Sequence, residues 1–224
     1  INIVVYGKYF ESRESIIERL KAQGRESEIE DALAELKKKK ENEVPDIPED
    51  LCDLSGEPFE DYLHDIELCQ QFARRNREIR ASIILKRLGI NGTDAFHTIH
   101  NYIDTKEMIL RKGAIAAHKG EKVLIPINMR DGSILAVGKG NSEWNYSAPH
   151  GAGRVMSRMK AKQALSMKAY QETMKGIYTK SVTQATLDEA PMAYKSLEDI
   201  INVIGESVEI IEILKPIYNF KSSE

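Results

Sequence analysis

Hydrophobic residues along the chain recur at two different spacings. From Phe59 to Leu88 they return every three to four positions, which predicts one long helix that stops at Gly89. We expect this helix to be a main support of the fold. Residues 122–127 and 133–137 are short β-branched runs on either side of an Asp-Gly pair, and this pattern predicts a β-hairpin.

The first fifty residues are more polar than the rest. Residues 11–22 and 27–43 predict two helices separated at Gln23-Gly24, and the second carries only a narrow apolar stripe. Such a stripe is typical of a protruding hairpin, so we predict a charged helical hairpin or insertion over residues 1–50. The lysines at 37–40 are interpreted as a solvated helix end, with an RNA contact as the alternative.

Composition narrows the class of protein. Of the 224 residues, 42% are hydrophobic and 30% are charged, and the net charge is -3, which is typical of a globular protein. Any RNA binding must therefore come from a local basic face. Cys52 and Cys69 are too few for a disulfide framework and are interpreted as small buried residues. The sequence has no signal peptide and no long apolar run, so we expect a cytoplasmic monomer without a membrane partner.

The segment from Asn145 to Arg158 carries the clearest chemistry. His150 stands between Pro149 and a Gly-Ala-Gly sequence, and no Asp or Glu occurs from 144 to 171. We predict an imidazole on a tight turn at a helix N-terminus, with Arg154 and Arg158 as phosphate or RNA binders. A neutral imidazole is a competent nucleophile near neutral pH. The alternative is an ordinary turn histidine.

Three histidines and the tryptophan also have to be interpreted. His97 and His100 are three residues apart and suggest zinc, but two ligands do not make a site, and a polar turn before a strand explains them equally well. Trp144, the only tryptophan, is interpreted either as a base-stacking side chain or as a cap on the edge of a core. His64 is interpreted as structural.

Several strings resemble the RtcB family of RNA ligases. The most specific is Tyr-Ser-Ala-Pro-His-Gly-Ala-Gly-Arg at 146–154, followed by Met-Ser-Arg. The others are Glu-Asp-Tyr-Leu-His-Asp at 60–65, Cys-Gln-Gln-Phe-Ala-Arg-Arg-Asn-Arg at 69–77, Ile-His-Asn-Tyr-Ile at 99–103, Leu-Asp-Glu-Ala-Pro-Met-Ala-Tyr-Lys at 187–195 and Leu-Lys-Pro-Ile-Tyr-Asn-Phe-Lys at 214–221. The resemblance implies an α+β, RtcB-like mixed fold that lacks its N-terminal half, with residues 51–224 as the C-terminal part of the catalytic domain.

The resemblance also implies roles for individual residues. In that family the histidine equivalent to His150 attacks GTP and carries GMP as a phosphoramidate, and the histidine equivalent to His100 binds manganese. Tyr194 is a guanylate contact by resemblance, or else a buried, hydrogen-bonded tyrosine. At position 128 the family often has Ser instead of Asn. The full set of guanylate-binding residues implied is Asn128, Ser133, His150, Gly151, Ala152, Gly153, Tyr194 and Lys221.

The implied activity is GTP- and manganese-dependent ligation. An RNA 2',3'-cyclic phosphate or 3'-phosphate end would be joined to a 5'-hydroxyl end through a histidine-GMP intermediate. The RNA partners would be tRNA halves or other cleaved RNA, and a protein activator is a further candidate partner. Only His100 is identifiable as a metal ligand, so we expect weak manganese binding and no ligation by this chain alone. The alternatives are a non-catalytic guanylate- or RNA-binding fragment and a metal-dependent phosphohydrolase.

Overall fold

A computed structural model of the chain describes residues 2–5, 8–43, 54–92 and 94–221. These residues fall into two compact units, 1–84 and 85–224, and we take each unit by itself. Helices and antiparallel sheets are both present, which confirms the predicted α+β class. Cys52 lies outside the described residues, so the prediction that it is buried stays a prediction.

The first unit begins with a small hairpin and two helices. Strand β1 (Asn2–Val5) pairs antiparallel with β2 (Lys8–Glu11), and they are followed by α1 (Arg13–Ala22) and α2 (Ile29–Glu43). Ser12 caps α1 through its side chain, which accepts a hydrogen bond from the Ser15 backbone. The two helices predicted on either side of Gln23-Gly24 are thus present, while the hairpin or insertion over residues 1–50 stays a prediction.

Helix α3 (Glu57–Leu88) has the predicted length and ends at Gly89, whose φ is +66°. Its predicted role as a main support is wrong for the described part of the chain, because none of its side chains there is buried. Phe72 is 73% exposed. Cys69 is exposed as well, so its interpretation as a small buried residue is wrong. A helical spacing marks an apolar face but does not say which surface covers it. Neither α3 nor any other described helix has an apolar stretch adequate to span a bilayer.

The second unit contains two antiparallel sheets of three strands. One has the order β3-β4-β7 and the other β5-β6-β8. The strands are β3 (His100–Asp104), β4 (Ile109–Ala116), β5 (Lys122–Asn128), β6 (Gly132–Gly138), β7 (Ser147–Pro149) and β8 (Val208–Leu214). The β5-β6 pair is the hairpin predicted from the Asp-Gly turn. Gly132 is required there, because a Cβ on it would lie 2.0 Å from the carbonyl oxygen of Leu214.

Three short helices pack around these sheets. They are α4 (Arg158–Ala164), α5 (Met167–Thr173) and α6 (Leu197–Ile204), and each is capped by the side chain of a preceding serine. Ile200 and Ile204 of α6 join a buried core with Ile125 and Ile134 of the hairpin. A second core surrounds the buried ring of Tyr170. The two cores fix the framework on which the polar side chains described below are held.

Candidate functional site

Two histidines flank the middle strand of the β3-β4-β7 sheet. His100 begins β3, where it pairs with Ile115 of β4. His150 follows directly after β7, whose Pro149 pairs with Ala114 of β4. One strand therefore separates the two backbones, which corresponds to about 9.6 Å at the usual strand spacing.

The two imidazole rings nevertheless meet. Their centroids are 5.1 Å apart and the ring planes are inclined by 31°. Gly113 of β4 has no side chain, and a Cβ added to it would lie 3.9 Å from Cδ2 and Nε2 of His150. Such a Cβ would be in ordinary van der Waals contact with the ring, so the two histidines meet across a position of the middle strand that carries no side chain.

Backbone hydrogen bonds hold Gly113 in place. Its N–H donates to Oδ1 of Asn101 at 2.7 Å, and its carbonyl oxygen accepts from the N–H of His150 at 3.3 Å. Asn101 has a φ of +54° and lies at an irregularity in the β3-β4 register. Gly113 itself has a φ of +71°, a conformation that glycine adopts without steric cost.

The surroundings of His150 favour the neutral ring. Partial burial lowers the pKa of His150, and the nearby charges of His100 and Lys112 lower it further. Both effects disfavour the imidazolium form. His150 therefore keeps a free nitrogen lone pair at neutral pH, as a nucleophile requires.

The expected helix N-terminus at His150 is wrong. His150 follows a strand, and α4 begins only at Arg158. The loop between them is fixed by its backbone instead. The N–H of Ala152 donates to the carbonyl oxygen of Pro126 at 3.0 Å, and Gly153 accepts from Lys195 N–H at 3.1 Å. The attraction of a helix dipole for anions therefore does not apply to His150.

Glycine is favoured at positions 151 and 153 for different reasons. A Cβ on Gly151 would approach the carbonyl oxygen of Pro126 to 3.1 Å, so this position favours a residue without a side chain. Gly153 has a φ of +71°, with open space around it. Ala152 is buried in the same core as the hairpin strands. The loop thus presents its backbone next to His150, which suits the close approach of a phosphate group.

Arg154 is held by internal contacts. Its guanidinium lies 4.8 Å above the ring of Tyr194 and donates to the Tyr194 hydroxyl at 2.9 Å. It also donates to the backbone carbonyls of Met156 and Asp188. All three nitrogens of the guanidinium are thus engaged within the protein, so in this arrangement Arg154 supports the loop.

Arg158 lies in a different environment. Its side chain is 69% exposed and reaches Asp188 at 2.9 Å and Glu189 at 3.0 Å. It borders a cleft of ≈ 810 Å³ whose other polar lining side chains include Lys162, Asp188, Glu189 and Lys221. Arg158 is therefore the one of the two predicted phosphate binders that borders open space.

Tyr194, Glu189 and Lys221 form one hydrogen-bonded group. The Tyr194 hydroxyl donates to Oε2 of Glu189 at 2.9 Å, and Nζ of Lys221 lies 3.1 Å from the same oxygen. Burial and the Glu189 carboxylate raise the pKa of Tyr194 to about 12. Burial acts to raise the pKa of Glu189, but hydrogen bonds from Lys221 and Tyr194 outweigh it, so this pKa is lowered.

Asn128 and Ser133 lie on the β5-β6 hairpin. Asn128 uses its side chain to close the turn: Oδ1 accepts from the backbone N–H groups of Arg130 and Asp131, and Nδ2 donates to Asp131. Ser133 lies opposite Pro126 and next to Leu214. The described contacts of Asn128 are thus those of a turn residue, while the carbonyl of Pro126 connects this hairpin to the loop after His150.

Arg111 is a buried residue that the sequence analysis missed. It lies on β4, is 2% exposed, and donates to Oγ of Ser147, the hydroxyl of Tyr102 and the carbonyl of Asn145. Asn145 and Tyr146 are consecutive residues with left-handed φ values of +48° and +50°. Arg111 therefore anchors the strained backbone that leads to β7 and His150. No local motif marks it, because its partners are up to 36 residues away.

The implied manganese site is incomplete in the described part of the chain. His100 offers one imidazole, whereas a metal centre needs several converging ligands. The only group of three metal-binding side chains found among the described residues is Asp104, Glu107 and His118. Arg111 lies 3.5 Å from Asp104 and 3.8 Å from Glu107, so those carboxylates already have a cation. Within residues 2–5, 8–43, 54–92 and 94–221, no set of ligands for a manganese ion therefore converges with His100.

Trp144 is on the surface of the second unit. It is 56% exposed, and its Nε1 donates to the Glu206 carboxylate at 3.1 Å. Its two sequence interpretations therefore both remain predictions. Among the predicted site residues, the structure brings His100 and His150 together, and it brings Arg154, Arg158, Tyr194 and Lys221 together around Glu189.

Comparison with known proteins gives a consistent result. A family model described as tRNA-splicing ligase RtcB matches residues 25–222. The RNA-splicing ligase RtcB of Escherichia coli (strain K12) is 33% identical over 178 residues, covering 72% of this chain and 43% of that protein. The tRNA-splicing ligase RtcB of Nanoarchaeum equitans is 31% identical over 216 residues, covering 79% of this chain and 45% of that protein.

The chain thus spans less than half the length of these relatives. The matched region nevertheless includes the paired histidines, the Gly-Ala-Gly loop and the group around Glu189. The family model covers well over half of the chain, and on this ground the chain belongs to the RtcB family of tRNA-splicing ligases.

Proposed function

We propose that this chain carries the guanylate-transferring part of an RNA ligase. In the first step a lone pair of His150 attacks the α-phosphorus of GTP, a phosphorus–nitrogen bond forms, and the bond to the β-phosphate oxygen breaks to release pyrophosphate. GMP then passes to an RNA 3'-phosphate, and the 5'-hydroxyl of a second RNA end displaces it. Dividing the reaction in this way replaces one difficult transfer with easier ones.

The observation that carries this proposal is the placement of the His150 ring. The ring is partly buried, its pKa is lowered, and it lies beside Gly113 and the backbone of the Gly-Ala-Gly loop. These features favour the neutral imidazole and place it beside glycine-rich backbone, which suits the close approach of a phosphate group. Family membership supplies the reaction class, and the ring geometry supports His150 as the nucleophile.

The group around Glu189 supports guanylate binding. Arg158 and Lys221 border the cleft with cationic side chains that attract phosphate oxygens. Glu189 is an acceptor that suits N–H donors such as those of a guanine base. We propose that Tyr194 orients Glu189 through the hydrogen bond from its hydroxyl. The backbone of Gly151, Ala152 and Gly153 would approach the phosphate group. Asn128 and Ser133 remain proposed guanylate contacts from the family resemblance.

Manganese, and His100 as its ligand, are part of the proposal only through the family. Among the described residues, no further metal ligands converge with His100. This observation favours a second function, that of a guanylate- or RNA-binding fragment without catalysis. In that case GTP would bind reversibly and no covalent product would form. From the family resemblance we also propose three kinds of partner, namely tRNA halves, other cleaved RNA and a protein activator.

The test is covalent labelling. The chain is incubated with GTP labelled on the α-phosphate in the presence of manganese, denatured and separated by electrophoresis. We expect label on the chain, lost in His150→Ala and kept in His97→Ala, the latter being a histidine outside the proposed site. A phosphoramidate is cleaved by acid and survives alkali, which identifies the bond. Reversible GTP binding with no label would contradict guanylate transfer by this chain and favour the non-catalytic function.

A further inference from the structure

Three aromatic side chains form an exposed surface in the second unit. Tyr178 is 67% exposed, Tyr218 is 49% exposed and Phe220 is 77% exposed. We name these three residues the aromatic platform. The rings of Tyr178 and Tyr218 lie 5.5 Å apart between centroids. Large aromatic side chains gathered on a surface in this way mark an interaction site rather than a random exposure.

The platform is built on two segments that are tied together. Thr179 and Asn219 form a parallel bridge, and the Thr179 hydroxyl donates to the Asn219 carbonyl at 2.8 Å. The Asn219 side chain donates to the Met129 carbonyl at 2.7 Å, and Lys221 N–H donates to Ser181 Oγ at 2.9 Å. These contacts fix the backbone under the rings, so little ordering is needed when a ligand binds.

Charge indicates the kind of ligand. The two segments, 174–182 and 214–221, contain four lysines and no Asp or Glu. Lys180 and Lys215 are exposed, and the bridge places Lys180 at the register position beside Phe220. Aromatic rings interleaved with cations are the usual surface for single-stranded nucleic acid, because bases stack on the rings while lysines meet the phosphates.

The segment that carries Tyr218 and Phe220 continues into the cleft lining at Lys221. Phe220 is followed directly by Lys221, whose ammonium group lies 3.1 Å from Glu189 on the cleft wall. A strand whose unpaired bases stack on the platform would therefore run along the same segment that enters the cleft. This continuity is the reason to assign the surface to RNA and not to a separate partner.

We propose that the aromatic platform binds unpaired bases of the RNA end that is to be joined. The inference rests on the proposed function, because it assigns a surface to the RNA which that function requires. Binding is expected to tolerate any sequence, since every base has a face that can stack. It is also expected to weaken as salt rises, since lysine–phosphate contacts release counterions.

The experiment titrates the full chain into a labelled single-stranded oligouridylate and, separately, into a labelled RNA duplex of equal length. Fluorescence anisotropy gives the affinity for each RNA. We expect the single strand to bind more tightly. Replacing Tyr178 and Tyr218 together by Ala should weaken it by roughly tenfold or more, whereas Phe at both positions should restore the affinity. Phe72→Ala removes an equally exposed ring on α3 and should have no effect.

Guanylate labelling separates this inference from the proposed function. The Tyr178→Ala, Tyr218→Ala double variant should still accept label from GTP, because neither residue belongs to the proposed guanylate site. If single-stranded RNA binds and the platform variants weaken it while no label forms, the platform stands and the proposed function fails. Unchanged RNA affinity in the double variant overturns the platform. The platform is also overturned if the double variant loses self-association, measured by light scattering, but keeps its RNA affinity. That result would identify a protein interface.

Discussion

The ring of His150 lies 5.1 Å from the ring of His100, although the two residues belong to opposite sides of the middle strand β4. Gly113 lies between them on β4, and a Cβ at this position would make only van der Waals contact with the His150 ring, at 3.9 Å. The left-handed φ of +71° is therefore what favours glycine at this position, and its carbonyl oxygen holds the backbone N–H of His150.

This geometry predicts the effect of Gly113→Ala. Gly113 and Gly120 both have a left-handed φ, but a Cβ on Gly120 meets nothing within 4 Å. Alanine at either position should cost about 1 kcal/mol of unfolding free energy through backbone strain. Only Gly113→Ala should slow guanylate labelling, by roughly tenfold, because the strained backbone there carries the carbonyl that accepts from the N–H of His150. Equal labelling by the two variants would contradict the role of Gly113 in holding His150.

Arg111→Met should destabilise the second unit. It removes a buried guanidinium that holds Ser147 and the carbonyl of Asn145, and we expect a loss of about 2 kcal/mol in the free energy of unfolding by urea. The control is Arg130→Met, which removes an arginine that is 47% exposed and paired with its neighbour Asp131. That change should cost less than about 1 kcal/mol. Equal losses would argue against Arg111 as the anchor.

Glu189→Gln should change the pH dependence of stability. The pKa of Glu189 is lowered from its ordinary value of 4.5 in the folded chain, so below that value the unfolded chain binds more protons. The stabilising contribution is therefore complete above the ordinary pKa and is lost as the pH falls through the lowered folded value. Urea unfolding between pH 7 and pH 3 should show a flatter profile in Glu189→Gln.

The matched control for that measurement is Glu209→Gln, which changes an exposed carboxylate on β8. It should leave the shape of the pH profile as it is in the unmodified chain. If both variants flatten the profile equally, the hydrogen bonds from Lys221 and Tyr194 are not the cause of the shift.

Arg154 and Arg158 should respond differently to replacement by Gln. Arg154 has three hydrogen-bonding partners inside the protein, so its loss should lower the free energy of unfolding by about 1 to 3 kcal/mol. Arg158 is largely exposed, and its loss should change stability by less than about 1 kcal/mol. GTP binding measured by calorimetry should weaken for Arg158→Gln while its unfolding curve stays the same. If Arg154→Gln weakens GTP binding and Arg158→Gln lowers the free energy of unfolding, then Arg154 binds the nucleotide and Arg158 supports the fold.

Local patterns predicted much of the fold. The periodic spacing of apolar residues placed α3, and alternation around the Asp-Gly turn placed the β5-β6 hairpin. Helices α1 and α2 followed from the polar pattern on either side of Gln23-Gly24. Such elements are determined by neighbours in sequence, which a single chain displays.

Long-range relationships were not visible in the same way. The sequence indicated His100 and His150 separately, but their contact depends on the strand order β3-β4-β7. The helix start was placed near His150 because glycines and arginines follow it, whereas the backbone there bonds to Pro126 and Lys195 instead. Arg111 gave no signal because burial of a charge is decided by partners distant in sequence. The uncovered face of α3 reflects the same limit.

The loop with the left-handed residues Asn145 and Tyr146 leads directly into β7, and this position restricts changes in the length of the loop. Strand β7 is only three residues long, and its register sets Pro149 opposite Ala114. Adding or removing one residue before it would shift that register by one step and turn His150 to the other face of the sheet. Within this lineage, insertions and deletions in the loop before β7 are therefore expected to be far more damaging than substitutions.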